Sequence, residues 1–339
     1  MLCTFENSFL ESEDFLNYVL HPMTFLELPV HLFGAYIIVF HTPKRMSGVK
    51  NSMLYLHFWS AFFDINVSML LTPYMLVPLP AGYCLGVLTF LGVSTAVQCY
   101  YGISCFAVMA VAILVFFENR FNALVIGSSQ RSGKRKIGRI VHIALNYGLA
   151  CTFLLPNYIN LPSEEEGKRF ARLKLPCLPT SIISNPNFFT LELDIWTISV
   201  SVAITILLLA SQSFYFVFRI IAYFLSNRTT SRGTKRLQKS FFIALCIQVT
   251  IPLTVLILPL CSMMYSFWFD SFNQAANNFC FVAISAHGLL STIVMLCVHR
   301  PYREKTVALF CRFECSTRSR SSIVQSTSFL LRRFTISQL

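Results

Sequence analysis

Few side chains in this chain can do chemistry, and most of them sit where a charge is costly. Asp64 stands in the middle of a long apolar run, with Asn66 and Ser68 beside it. Glu27 and His31 are spaced i, i+4 in another apolar run, which puts both on one face of a helix. Glu118-Asn119-Arg120 closes a third run. His57, His142 and His287 are scattered over three segments, with no spacing that makes them converge on a metal. An ionisable group at the centre of a bilayer costs roughly 2.5–3.5 kcal/mol on insertion scales and faces the interior of a bundle with a partner. For Asp64 the candidate partners are His287 and Ser291, with Asn277 or Asn278. Two readings of that intramembrane polar network stand together: a switch, with room for a cation, or a hydrogen-bonded clasp between helices. No nucleophile triad, phosphate loop or metal-ligand run is visible, so neither enzyme activity nor a cofactor is expected.

These residues need elements that cross a membrane to hold them. Apolar residues make up 55% of the chain and charged residues only 12%, roughly half the charged share usual in a globular domain. A helix crosses the hydrocarbon layer with about 20 mainly apolar residues. Seven such segments are present, over 18–40, 51–77, 91–117, 140–159, 193–216, 241–267 and 278–298. The expected fold is an all-α membrane protein, a bundle of seven transmembrane helices. It divides into an N-terminal tail over 1–17, the bundle over 18–298 and a C-terminal tail over 299–339. The tail before the first segment holds no Lys or Arg and four acids, Glu6, Glu11, Glu13 and Asp14, which is unlike a secretory leader.

Orientation follows from Lys and Arg. Of the 27, only Lys168, Arg169, Arg172 and Lys174 fall in the loops on the side of the N-terminus; all others fall on the opposite side, and none lies deep in a span. The N-terminus is therefore extracellular and the C-terminus cytosolic. The net charge of +12 is mostly this topology signal, so nucleic acid is not an expected partner.

Seven helices with an outer N-terminus is the plan of the G-protein-coupled receptors; a ligand-gated channel or transporter with seven spans is the alternative. In the receptor reading, Glu118, Asn119 and Arg120 form a switch at the cytosolic end of the third span; otherwise Arg120 merely anchors a helix end. Asn119 separates the acid from the Arg, a departure from the adjacent acid-Arg pair of rhodopsin-like receptors. Gln98 and Tyr101 on span three, with Tyr100 and Phe106, and Tyr265 and Trp268 on span six lie at the depth of a small-molecule pocket. Packing and interfacial anchoring are the competing roles for these aromatics. Three of the 12 cysteines, Cys3, Cys84 and Cys177, lie on the oxidising outer side and cannot all pair within one chain. Thr95 stands where rhodopsin-like receptors carry the cysteine of span three. After span seven, Val307, Leu309, Phe310 and Phe313 are spaced for a short amphipathic helix on the inner leaflet. Cys311 and Cys315 are candidate palmitoylation sites, and Ser316 to Ser328 reads as a kinase target.

An ordered set of short motifs adds a resemblance. They are Pro29-Val30-His31-Leu32-Phe33-Gly34 with Thr42-Pro43-Lys44, then Leu56-His57-Phe58-Trp59-Ser60 with Asp64, and Thr72-Pro73-Tyr74 with Ala81-Gly82-Tyr83. There follow Phe117-Glu118-Asn119-Arg120, Leu175-Pro176-Cys177-Leu178-Pro179, His287-Gly288 with Ser291-Thr292-Ile293, and Pro301-Tyr302-Arg303. Together the chain resembles the nematode serpentine chemoreceptors of class H, within the Str-type group. The resemblance implies a receptor that binds a small extracellular molecule and activates a heterotrimeric G protein, displayed in the plasma membrane of sensory cilia and surrounded by membrane lipids. It implies that Tyr302 belongs with the switch. It also implies a Cys3–Cys177 disulfide, with Cys84–Cys177 as the alternative.

Overall fold

The computed structural model describes residues 2–126, 133–193, 195–226 and 232–311. Six helices are long and apolar enough to cross a membrane, and a bent pair makes the seventh span. Span one, Glu13–His41, starts where the Ser12 hydroxyl accepts the Phe15 N–H at 3.1 Å, with Glu13 and Asp14 in its first turn. A side-chain acceptor and early acids are what a helix N-terminus favours. Span two runs Ser47–Ile65 and continues as a π-type turn over Asn66–Leu71. It stops short of the expected 77, because Thr72 takes a left-handed conformation (φ 44°) and Pro73 has no N–H to continue the helix. Span three runs Thr95–Phe121 and ends in a second π-type turn. Span four, Gly133–Thr152, ends earlier than expected and gives way to a single turn over Leu155–Tyr158 that carries Pro156. Spans five and six are Ile195–Ser226 and Arg232–Trp268, both longer on the cytosolic side than apolar content alone indicates.

Span seven is two half-helices, Gln274–Ser285 and His287–Val298, bent by 40° at Ala286. A further helix covers 300–311. Phe313, Cys315 and the Ser/Thr-rich stretch lie outside the described residues.

The outer end is more structured than loops of this length suggest. Strand β1 (Leu2–Thr4) pairs in parallel with β5 (Ser271–Asn273), and β2 (Pro73–Met75), β3 (Ala81–Cys84) and β4 (Phe189–Thr190) form an antiparallel sheet in that order. Outer-loop helix Glu164–Lys174 packs on β4, and the short helix Thr180–Ile183 packs on that helix. This cap has its own apolar core, built from Leu16, Leu20, Tyr74, Tyr83, Leu175 and Phe272. The acidic run Glu164-Glu165-Glu166 is the first turn of the longer helix, capped by Ser163, which is a structural role for those charges. Span seven staples the cap to the bundle. Asn277 donates to Val77 O at 2.9 Å, Asn278 to Leu10 O at 2.9 Å and Gln274 to Met75 O at 3.3 Å.

At the cytosolic end a second core joins Ile37, Met53, Phe116, Ile220, Phe242, Leu245, Met295 and Tyr302 from six spans and the following helix. Two glycines let the central helices meet. A Cβ at Gly34 would lie 2.6 Å from a Thr292 methyl, and one at Gly288 would lie 2.6 Å from Asp64 Oδ2 and 2.7 Å from Ser60 O. Gly288→Ala is expected to destabilise the chain by about 1–3 kcal/mol, the usual range for overpacking, measured as thermal unfolding in detergent. Gly48→Ala, whose Cβ would meet nothing within 4 Å, is the neutral control. Equal stability of the two variants would refute the close approach of spans two and seven.

Candidate functional site

The polar centre begins with the break in span seven. Interrupting a helix at Ala286 frees backbone N–H groups at the start of the second half-helix. In lipid no water is there to satisfy them. The Asp64 carboxylate does so: Gly288 N donates to Oδ1 at 3.0 Å and Leu289 N to Oδ2 at 2.7 Å. His287 Nδ1 lies 3.0 Å from Oδ1, and His31 Nε2 lies 3.3 Å from Oδ2. Asp64 is fully buried, so its carboxylate depends on these protein donors.

Thr292, not Ser291, completes the centre. Its hydroxyl donates to Gly288 O at 2.9 Å, and His31 Nδ1 lies 3.0 Å from it. His57 Nε2 donates to His31 O at 2.9 Å. Ser291 sits one residue, about 100° of helix rotation, away from this face. Asn277 and Asn278 serve the cap instead. Glu27 and His31 share a face, as their spacing requires, but do not pair with each other. Glu27 is fully buried and accepts from Ser68 Oγ at 2.9 Å, which in turn accepts from Thr24 Oγ1 at 2.8 Å.

Below the centre lies the acid-Arg motif. Glu118 and Arg120 are two residues apart, and residues at i and i+2 point to different sides of a helix. Glu118 meets Arg139 of span four in a bidentate pair, Nε to Oε1 and Nη2 to Oε2, both 2.6 Å, and the same Nη2 donates to Asn119 Oδ1 at 2.7 Å. Arg120 instead lays its guanidinium over the Phe241 ring of span six, 4.9 Å from the centroid. Phe241 also touches His299 (5.4 Å), whose Nε2 lies 2.8 Å from Gln248 Oε1 of span six. Tyr302 follows, fully buried, its ring 5.6 Å from His299 and its hydroxyl 2.9 Å from Thr42 Oγ1 at the end of span one. Arg139, Phe241, Gln248 and His299 carried no local signal of these roles: each partner is distant in sequence.

The predicted outer residues do not gather in one place. Tyr101 donates to Asn66 Oδ1 at 2.5 Å and packs with Phe63, Phe106, Met109 and Phe281 between spans two, three and seven. Gln98 spends its amide on Val93 O (2.7 Å) and Thr89 Oγ1 (3.0 Å), fixing the start of span three. Tyr265 and Trp268 stand on the outward side of span six, 58% and 72% exposed, with the Tyr265 ring tilted against Phe269 and Trp268 against Trp196. The inward face of that helix is Val249, Pro252, Leu256 and Pro259. Span six is apolar all round, so its sequence carries no rotational signal.

The sequence matches the family described as serpentine type 7TM GPCR chemoreceptor Srh over residues 11–312. The chain belongs to this family. It is also similar to serpentine receptor class H-72 of Caenorhabditis elegans, 26% identical over 304 residues that cover 89% of this chain and 87% of the relative. The expected resemblance and the seven-span receptor fold therefore hold, and this is a multi-pass membrane receptor of a chemoreceptor family, not a member of an enzyme family.

On the outer side, Cys177 of this Srh receptor is disulfide-bonded, while Cys84 is a free, buried thiol. The Cys3 side chain lies outside the described residues. If Thr292 organises the centre, Thr292→Val leaves His31 Nδ1 without its hydrogen-bond partner and costs about 1–3 kcal/mol, whereas Ser291→Ala stays within about 0.5 kcal/mol. Thermal unfolding of both variants in detergent checks this, and the reverse ranking would refute it.

Proposed function

We propose that this receptor binds a small extracellular molecule, an odorant or pheromone, and activates a heterotrimeric G protein through a cytosolic surface centred on Arg120. The observation that carries the reading is Arg120 stacked on Phe241, unpaired with Glu118. A cation over an aromatic face is worth about 0.5–2 kcal/mol, enough to bias two arrangements of span six without freezing one. Outward movement of span six breaks that contact and the His299–Gln248 bond together, and frees a half-buried guanidinium for a partner's helix. A ligand drives this only by binding the open arrangement more tightly. Tyr101 and its aromatic neighbours are the assigned ligand contacts, since they sit beside both the polar centre and span six. Plasma membrane of sensory cilia is the assigned location.

The expected outcome for Arg120→Ala is loss of G-protein activation at normal surface display. Phe241→Ala is expected to raise ligand-independent activity about fivefold, the effect of removing about 1 kcal/mol from the closed arrangement. Calcium responses of receptor-expressing cells, screened against odorants and secreted small molecules, measure both. Normal signalling by Arg120→Ala would overturn the reading, and currents that persist without any G protein would favour a channel.

We also assign Cys3 as the partner of Cys177, since Cys84 is free. Cys3→Ser is expected to expose one additional thiol to a membrane-impermeant maleimide, and Cys84→Ser none. Labelling gained only on Cys84→Ser would refute the pairing.

A further inference from the structure

The cytosolic halves of spans five and six make little contact with each other. Span five leans on span three, and span six leans on span seven. Between them a wedge of about 710 Å³ opens to the membrane. Its walls include Ile221 and Phe224 of span five and Phe242, Ile243 and Cys246 of span six, with Lys239 also lining it. Phe224 and Phe242 are its buried floor, their rings 5.7 Å apart. Lys239 is exposed at the cytosolic end and has no hydrogen-bond or ion-pair partner among the described residues. Arg236, one turn earlier, is exposed too.

An apolar wedge left empty forfeits the dispersion contacts of its walls. In a bilayer the material at hand is an acyl chain. The depth matches as well, because Lys239 lies at the cytosolic surface, where the inner leaflet carries its anionic headgroups. We propose that this wedge is a docking site for one anionic phospholipid of the inner leaflet, its phosphate on Lys239 and an acyl chain on the Phe224–Phe242 floor. The site stands whether or not the chain couples to a G protein. Its occupant fills the gap between spans five and six at their cytosolic ends.

The test uses the full-length chain in phosphatidylcholine nanodiscs, photolabelled with phosphatidylserine or phosphatidylcholine bearing a diazirine in the acyl chain. Labelled peptides are mapped by mass spectrometry. Phosphatidylserine should label the segments around Phe224 and Phe242 about fivefold more than phosphatidylcholine does. Lys239→Glu should erase that preference while leaving phosphatidylcholine labelling unchanged. Cys246→Trp, which fills the wedge, should lower labelling by both lipids; where that variant does not fold, Lys239→Glu decides alone. Equal labelling by the two lipids in the unaltered chain, or a preference that survives Lys239→Glu, overturns the proposal. So does bismaleimide cross-linking between the Cys246 residues of two copies, which would put a second chain in the wedge.

Discussion

The structure depends on one exchange between spans two and seven. A carboxylate in the hydrocarbon layer is costly, and so is a helix broken in the middle of a membrane. Each would be untenable alone. Asp64 accepts the two N–H groups that the break at Ala286 exposes, and those groups, with His287 and His31, stabilise its charge. Removing either side leaves the other buried without a partner, which is why such pairs are hard to break singly. Gly288 and Gly34 are the steric condition for the exchange, because any Cβ there would intrude on the helices that must approach.

Span seven consequently touches every level of the molecule. Its outer half holds three loop carbonyls of the cap through Gln274, Asn277 and Asn278. Its bend sits on Asp64. Its inner end passes through His299 to Gln248 of span six, and the chain beyond it places Tyr302 against Thr42 at the end of span one. Spans one, two and seven form a connected polar unit, whereas spans four and five show most of their surface to lipid. In the proposed activation, outward movement of span six breaks the His299–Gln248 bond and the Arg120–Phe241 contact and leaves the carboxylate at the centre in place.

The seven spans and their orientation were legible because apolar run length and Lys/Arg asymmetry are local properties of the chain. The Asp64–His287 pairing was legible because a lone intramembrane charge needs a partner and few polar residues lie at that depth. The bend was not, since Ala286-His287 carries no proline to announce it. The cap strands were hidden for a related reason: Pro73, Pro78, Pro80 and Gly82 read as loop punctuation, and the pairing of β3 with β4 joins residues about a hundred positions apart. That Thr292 rather than Ser291 reaches the centre is a matter of helix phase. So is the placing of Tyr265 and Trp268, which an apolar helix leaves undetermined.

The Asn between Glu118 and Arg120 follows the same geometric logic to a functional end. An adjacent acid and Arg, about 100° apart on a helix, can share one ion pair, so that the closed state is held by the residues of a single span. Inserting one residue turns the two side chains about 200° apart. They can no longer hold each other, and each must be held by a different neighbour. Arg139 of span four takes the acid, and Phe241 of span six takes the Arg. The two contacts differ in strength: a bidentate charged pair against a cation over a ring. The stronger one ties span three to span four, and the weaker one faces span six, the helix proposed to move. In the proposed switch, anchoring and release are therefore separate: span six would release Arg120 without disturbing the contact of span three with span four.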